Sequence, residues 1–233
     1  MNTNILVNPV KEAACKSTFK IKDPGSAITH FIGFLLSVIM TPALIVRGIR
    51  LHGSSSDIFS LAVFMAGMIV LYGASTAYHT FDISPKWNKI LKKIDHMMIF
   101  VLIAGSYTPI CVIALSGTTG LSLLGLVWTL ALVGIIFKFC WVTCPKWVSS
   151  CIYIGMGWIC VLAMPQIYGA LSASGFAWLL TGGIIYTIGG VIYALKLNAF
   201  NNRFQHFGSH EIFHCFVMLG NFCHYVVMYC HLM

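Results

Sequence analysis

Four short strings carry the side chains that could do chemistry. Ser75-Thr76-Ala77-Tyr78-His79 sets a hydroxyl and an imidazole four residues apart, on one face if the segment is helical. Asp95-His96 joins a carboxylate to an imidazole. His210-Glu211-Ile212-Phe213-His214 places two imidazoles on one helix face with an acid between them in sequence. His30 stands alone in an apolar run. Three histidines, His79, His210 and His214, with the carboxylate of Asp95 at the same level, suit a tetrahedral zinc ion with one position open to water. Zinc lowers the pKa of such a water towards neutrality and makes hydroxide available.

Each string also has an ordinary use. A single histidine at a membrane boundary is more often a polar anchor, and His30 and His96 are read that way. Ser75 alone would serve close helix packing. Asp95 alone would cap a helix N-terminus, or pair with Lys92 or Lys93. His224, ten residues beyond His214, falls deeper and on another face, where a hydrogen bond within a bundle is the simpler role. Glu12 and Asp23 read as solvated tail charges, and Trp128 and Trp158 as packing or belt residues. His-Glu-x-x-His is also the zinc-protease string, in which the acid activates water. Glu211 follows His210 by one position, about 100° round the helix, and no Asp-Gly ligand pair accompanies it.

Composition sets the elements that must position these groups. Of 233 residues, 58% are hydrophobic and 9% charged, against about 25% charged in a soluble domain. With a mean hydropathy of +0.87, the chain reads as an all-α membrane protein with little mass outside the bilayer. Crossing a hydrocarbon core of about 30 Å takes about 20 apolar residues. Seven stretches qualify: 27–46, 58–78, 97–115, 121–139, 148–168, 176–195 and 209–231. Gly53-Ser54-Ser55-Ser56, Ser116-Gly117-Thr118-Thr119-Gly120 and Thr143-Cys144-Pro145-Lys146 mark connectors.

Residues 1–25 form a polar tail without the features of a signal peptide, and 26–233 form the seven-helix domain. A net charge of +8 suits lysines that flank membrane helices, so nucleic acid is excluded as the partner and membrane lipid takes its place. Lys11, Lys16, Lys20, Lys22, Lys86, Lys89, Lys92, Lys93, Lys138, Lys146, Lys196 and Arg203 fall on one side of the seven-span arrangement, and only Arg47 and Arg50 on the other. The basic side is cytoplasmic, which puts the N-terminus inside and the C-terminus outside. Three of the strings then meet at one depth near the cytoplasmic boundary: the second span ends at His79, the third opens at Asp95 and the seventh at His210. The nine cysteines include no Cys-x-x-Cys and read mostly as small buried hydrophobes. Cys140 and Cys144, four apart at a helix end, could pair, though nothing requires it.

These strings resemble those of the bacterial hemolysin III family, which is related to the progestin and adipoQ receptors, the adiponectin receptors among them, and more distantly to alkaline ceramidases. The resemblance rests on Ala27-Ile28-Thr29-His30 with Gly33, on Ser75-x-x-x-His79, on Ile94-Asp95-His96 running to Ala104-Gly105-Ser106-Tyr107-Thr108-Pro109, and on Gly208-Ser209-His210-Glu211-Ile212-Phe213-His214. It covers essentially the whole chain and implies a multi-pass protein of the bacterial plasma membrane. It further implies that His79, His210 and His214 coordinate zinc, that Asp95 orients the water or acts as general base, and that Ser75 stands beside that water. Glu211 would then face elsewhere.

Four functions follow as expectations. The first is a zinc-dependent hydrolase acting on a lipid amide or ester that enters between helices. The second is a non-enzymatic membrane-homeostasis or sensor protein with structural zinc. The third is a cytolysin, which the family's name suggests and the absence of a secretion signal disfavours. The fourth is an intramembrane protease using Glu211. The sequence fixes neither the substrate nor the oligomeric state.

Overall fold

A computed structural model describes residues 20–51, 53–115, 117–195 and 208–232. Lys11, Glu12, Lys16, Ser116, Lys196 and Arg203, used above, lie outside these residues. Among them, seven helical segments are long and apolar enough to cross a membrane. The helices are α1 (Pro24–Leu51), α2 (Ser55–Thr80), α3 (Pro85–Pro109), α4 (Thr118–Cys140), α5 (Lys146–Gly157), α6 (Met164–Ala170), α7 (Ala173–Leu195) and α8 (Ser209–Val226). Wider π-turns extend α3 through Ile110–Ala114 and α8 through Val227–His231. Neighbours in sequence pack together, and α1 also packs on α8, so the first and last spans meet.

The third span begins earlier than expected. Ser84 caps α3 by accepting from the Trp87 N–H, and Pro85 fills the first turn, where a missing N–H costs nothing. Lys86, Lys89, Lys92 and Lys93 therefore lie on the opening turns of a helix. Asp95 is buried well inside α3 and is no cap.

The fifth span is one crossing built from α5, a 3₁₀ stretch (Trp158–Ala163) and α6. Pro165 supplies no N–H at the start of α6, so the ladder must be rebuilt below it. Further up, where α5 gives way to the 3₁₀ stretch, the Tyr107 hydroxyl of α3 reaches the Met156 and Gly157 carbonyls and accepts from the Cys160 N–H at 3.0 Å. Broken helices in a membrane need such a partner.

Elsewhere small residues let helices approach. A Cβ on Gly105 would stand 3.2 Å from the Val63 carbonyl, and one on Gly67 would stand 3.4 Å from the Leu102 Cα, which fixes the α2–α3 contact. Near mid-membrane, Tyr186 of α7 donates to the Asn221 carbonyl at 2.6 Å, and the Asn221 amide donates to the Tyr72 hydroxyl, linking α7, α8 and α2. Lys138, expected as a flanking charge, is instead fully buried.

Replacing Tyr107 by Phe leaves polar backbone groups of the fifth span without a partner. We expect Tyr107→Phe to cost about 1–3 kcal/mol, read as a lower thermal midpoint in detergent. The control is Gly155→Ala, since a Cβ there meets nothing within 4 Å. Equal midpoints for Tyr107→Phe and wild type would remove this role for the hydroxyl.

Candidate metal centre

α2 ends at Thr80, one residue past His79, and α8 opens at Ser209, one residue before His210. Both helices therefore deliver imidazoles from the same end of the bundle. One turn of α8 then puts His214 on the face of His210. His79, His210 and His214 each offer a nitrogen, and these atoms lie within 4.8 Å of one another. The Nε2 atoms of His79 and His210 are 3.2 Å apart. Two ligand nitrogens bound at 2.0–2.1 Å to one tetrahedral ion stand about 3.3 Å apart, so the spacing fits a shared cation.

Two other ring nitrogens bear on that orientation. His79 Nδ1 lies 3.0 Å from the Asp23 carboxylate, and His214 Nδ1 lies 3.1 Å from the Thr29 hydroxyl. Both contacts leave Nε2 free to face the group, the arrangement in which an outer partner fixes a ligating imidazole. His79 and His214 are 3% and 2% exposed, too buried for water to serve as their usual partner. Asp23 is thus no free tail charge; its backbone N–H also donates to the His79 carbonyl at 2.8 Å, tying the start of α1 to the end of α2.

His30 is not an interfacial anchor. It is buried, and its ring stacks on His214 with centroids 3.5 Å apart and planes 11° from parallel. An isolated histidine in an apolar run gives no sequence signal for such a place. His96 is held at 3.2 Å from Asp95 Oδ2, so Asp95 pairs with its neighbour and not with Lys92 or Lys93. Asp95, His30, His210 and His214 border one cavity of about 150 Å³, which runs between apolar walls to His224. His224 therefore shares the space that His214 faces. Ser75 is fully buried, one turn before His79, and its hydroxyl has no hydrogen-bond partner among the described residues. It lies outside the group of three histidines, as does Asp95.

Glu211 is already engaged. Its carboxylate accepts from the Gly208 N–H at 2.8 Å and from the Ser26 hydroxyl. The first bond closes the α8 N-terminus and the second ties it to α1. An acid spent on a helix cap is not free to activate water, so the zinc-protease reading of the string loses its base.

A seven-helix membrane bundle with three clustered histidines at one end, two of them buried, beside an apolar cavity, is the class that fold and site define. The chain belongs to the Haemolysin-III related family, whose pattern it matches over residues 19–225. It is 41% identical over 217 residues to the hemolysin-3 homolog of Bacillus subtilis (strain 168), covering 91% of this chain and 96% of that one. It is 38% identical over 205 residues to hemolysin-3 of Bacillus cereus, covering 87% and 88%. A more distant likeness, 27% over 240 residues, reaches the adiponectin receptor protein of Drosophila melanogaster; it covers 93% of this chain and 52% of the receptor.

The centre makes two expectations for metal content measured on detergent-purified protein. His79→Ala and His214→Ala each lose the ion, whereas Glu211→Gln keeps it. Asp23→Ala retains the ligands but loosens one of them, lowering affinity about 10–100-fold in a chelator competition. Full metal in His79→Ala would show that the three imidazoles are not the ligands.

Proposed function

We propose that this chain is a zinc-dependent hydrolase of lipid amide or ester bonds, working at the cytoplasmic end of the bundle. One observation carries the reading: His210 and His214, two of the three grouped histidines, border the same apolar cavity as Asp95. Three imidazoles with a position left open suit catalytic zinc. Zinc, when bound, supplies Lewis acidity and activates water near neutral pH. The Asp95 carboxylate would accept a proton from a water at the cavity wall and return it to the leaving amine or alcohol. Ser75 donates to the developing oxyanion. The apolar walls seat a lipid chain and keep bulk water away from the carbonyl. The N-terminus is cytoplasmic and the C-terminus extracytoplasmic in the bacterial plasma membrane, as the basic segments indicate.

A second reading rests on a different observation. The centre draws on α1, α2 and α8 through Asp23, Thr29, His79 and His214, so a zinc ion there would clamp the first and last spans. In that reading the protein is a non-enzymatic homeostasis or sensor protein with structural zinc.

Reconstitution in lipid vesicles separates the two. On the hydrolase reading, wild type releases fatty acid from an amide- or ester-linked lipid. Asp95→Asn keeps its metal and loses about 10²–10⁴-fold in rate, and Ser75→Ala loses about 10²–10³-fold. Full zinc occupancy with no product from any lipid class would favour the clamp. Orientation is checked by reporter fusions at the two ends: alkaline phosphatase should be active at the C-terminus and silent at the N-terminus.

A further inference from the structure

At the junction of α4 and α5 lies a second cluster of reactive groups. Lys138 of α4 is fully buried. Its Nζ donates to the Ser149 hydroxyl at 2.6 Å and to the Cys144 sulfur at 3.1 Å, and that sulfur lies 3.2 Å from the Ser149 oxygen. The rings of Phe137 and Tyr153 stand 5.8 Å from Nζ. No carboxylate pairs with Lys138 among the described residues. A buried ammonium without a counter-ion is costly, and the acidic group it touches is the Cys144 thiol. The amine and thiol can trade one proton and stay neutral as a pair, which makes the sulfur a primed nucleophile. Cys144 sits in the short turn between the helices and is 7% exposed, so a small reagent has little protein to cross.

We propose that Cys144 is this protein's peroxide-reactive thiol and that Lys138 is both its base and its trap. The Lys138 amine takes the thiol proton as sulfur attacks peroxide. An S–O bond forms, the O–O bond breaks, and the departing hydroxide receives the proton from Lys138 and leaves as water. Sulfur loses two electrons and the peroxide gains them, giving a sulfenic acid. The freed amine then attacks that sulfur: an S–N bond forms, the S–O bond breaks, and hydroxide leaves with an amine proton as a second water. The net change is loss of two hydrogens and a covalent link between α4 and the turn that starts α5. Neither step draws on the histidine centre, so this inference stands apart from the hydrolase reading.

The test uses the full chain in native membrane vesicles, with dilute hydrogen peroxide as the probe. Thiol labelling after timed exposure should show Cys144 lost first, ahead of the exposed Cys140 and Cys151. Digestion should yield a peptide pair joined through Cys144 and Lys138 and lighter by two hydrogens. Lys138→Met should abolish the joined pair and slow Cys144 loss by about tenfold or more, with Cys140 and Cys151 unchanged. Ser149→Ala, which keeps the amine and thiol, should still give the joined pair. Loss of Cys144 no faster than Cys140 in wild type, or no joined peptide at full Cys144 loss, overturns the proposal, even if Lys138→Met fails to fold.

Discussion

Imidazole nitrogens inside hydrocarbon must find partners, because a polar group left bare there costs several kcal/mol. In this chain two of the outward-facing nitrogens, His79 Nδ1 and His214 Nδ1, have theirs in Asp23 and Thr29. The inward Nε2 atoms of His79 and His210 meet each other at 3.2 Å. With one proton between them the two nitrogens form a hydrogen bond; the same group, with His214, could instead hold a metal ion. The same requirement fixes the order of packing. α1 must bring Asp23 and Thr29, α2 must end at His79 and α8 must begin at His210, so the two ends of the bundle close on each other around the centre.

The rest of the bundle keeps that end open to a cavity without losing backbone hydrogen bonds. Gly67 and Gly105 draw α2 and α3 together. Tyr107 stands in for the carbonyl and N–H partners that the fifth span gives up beside the cavity. The Tyr186–Asn221–Tyr72 chain ties three helices with side-chain bonds in the apolar interior. Polar groups are thus spent in pairs and trios, each closed on itself. Among the described residues Ser75 and His30 have no hydrogen-bond partner, and His30 borders the cavity. Water or a ligand is the remaining source of partners for them.

Much of this was legible in the sequence. Apolar length gave the seven spans, and helical spacing gave His79, His210 and His214 as one set at one depth. The failures share a cause: hydropathy assigns a residue to lipid, water or boundary, but does not say what lies across from it. Lys86 to Lys93 looked like a loop because they are charged, although Ser84 and Pro85 already signal a helix start. Asp23 looked solvated because it sits in a basic tail, yet its partner is 56 residues away. Lys138 reads as a boundary cation, and its burial depends on a cysteine in the following turn and a serine in α5. Glu211 was ambiguous within its string until Ser26 and Gly208 claimed both its oxygens.

The 3₁₀ segment has a geometric consequence for how the protein sits in a bilayer. Its six residues climb about 2.0 Å each, where α-helix would climb about 1.5 Å, so this crossing is about 3 Å taller than its residue count implies. Hydrocarbon thickness differs among natural membranes by a similar few ångströms. The reach of the fifth span is therefore set by winding as well as by composition, and rewinding that stretch would change the thickness of membrane it matches without adding or removing a residue.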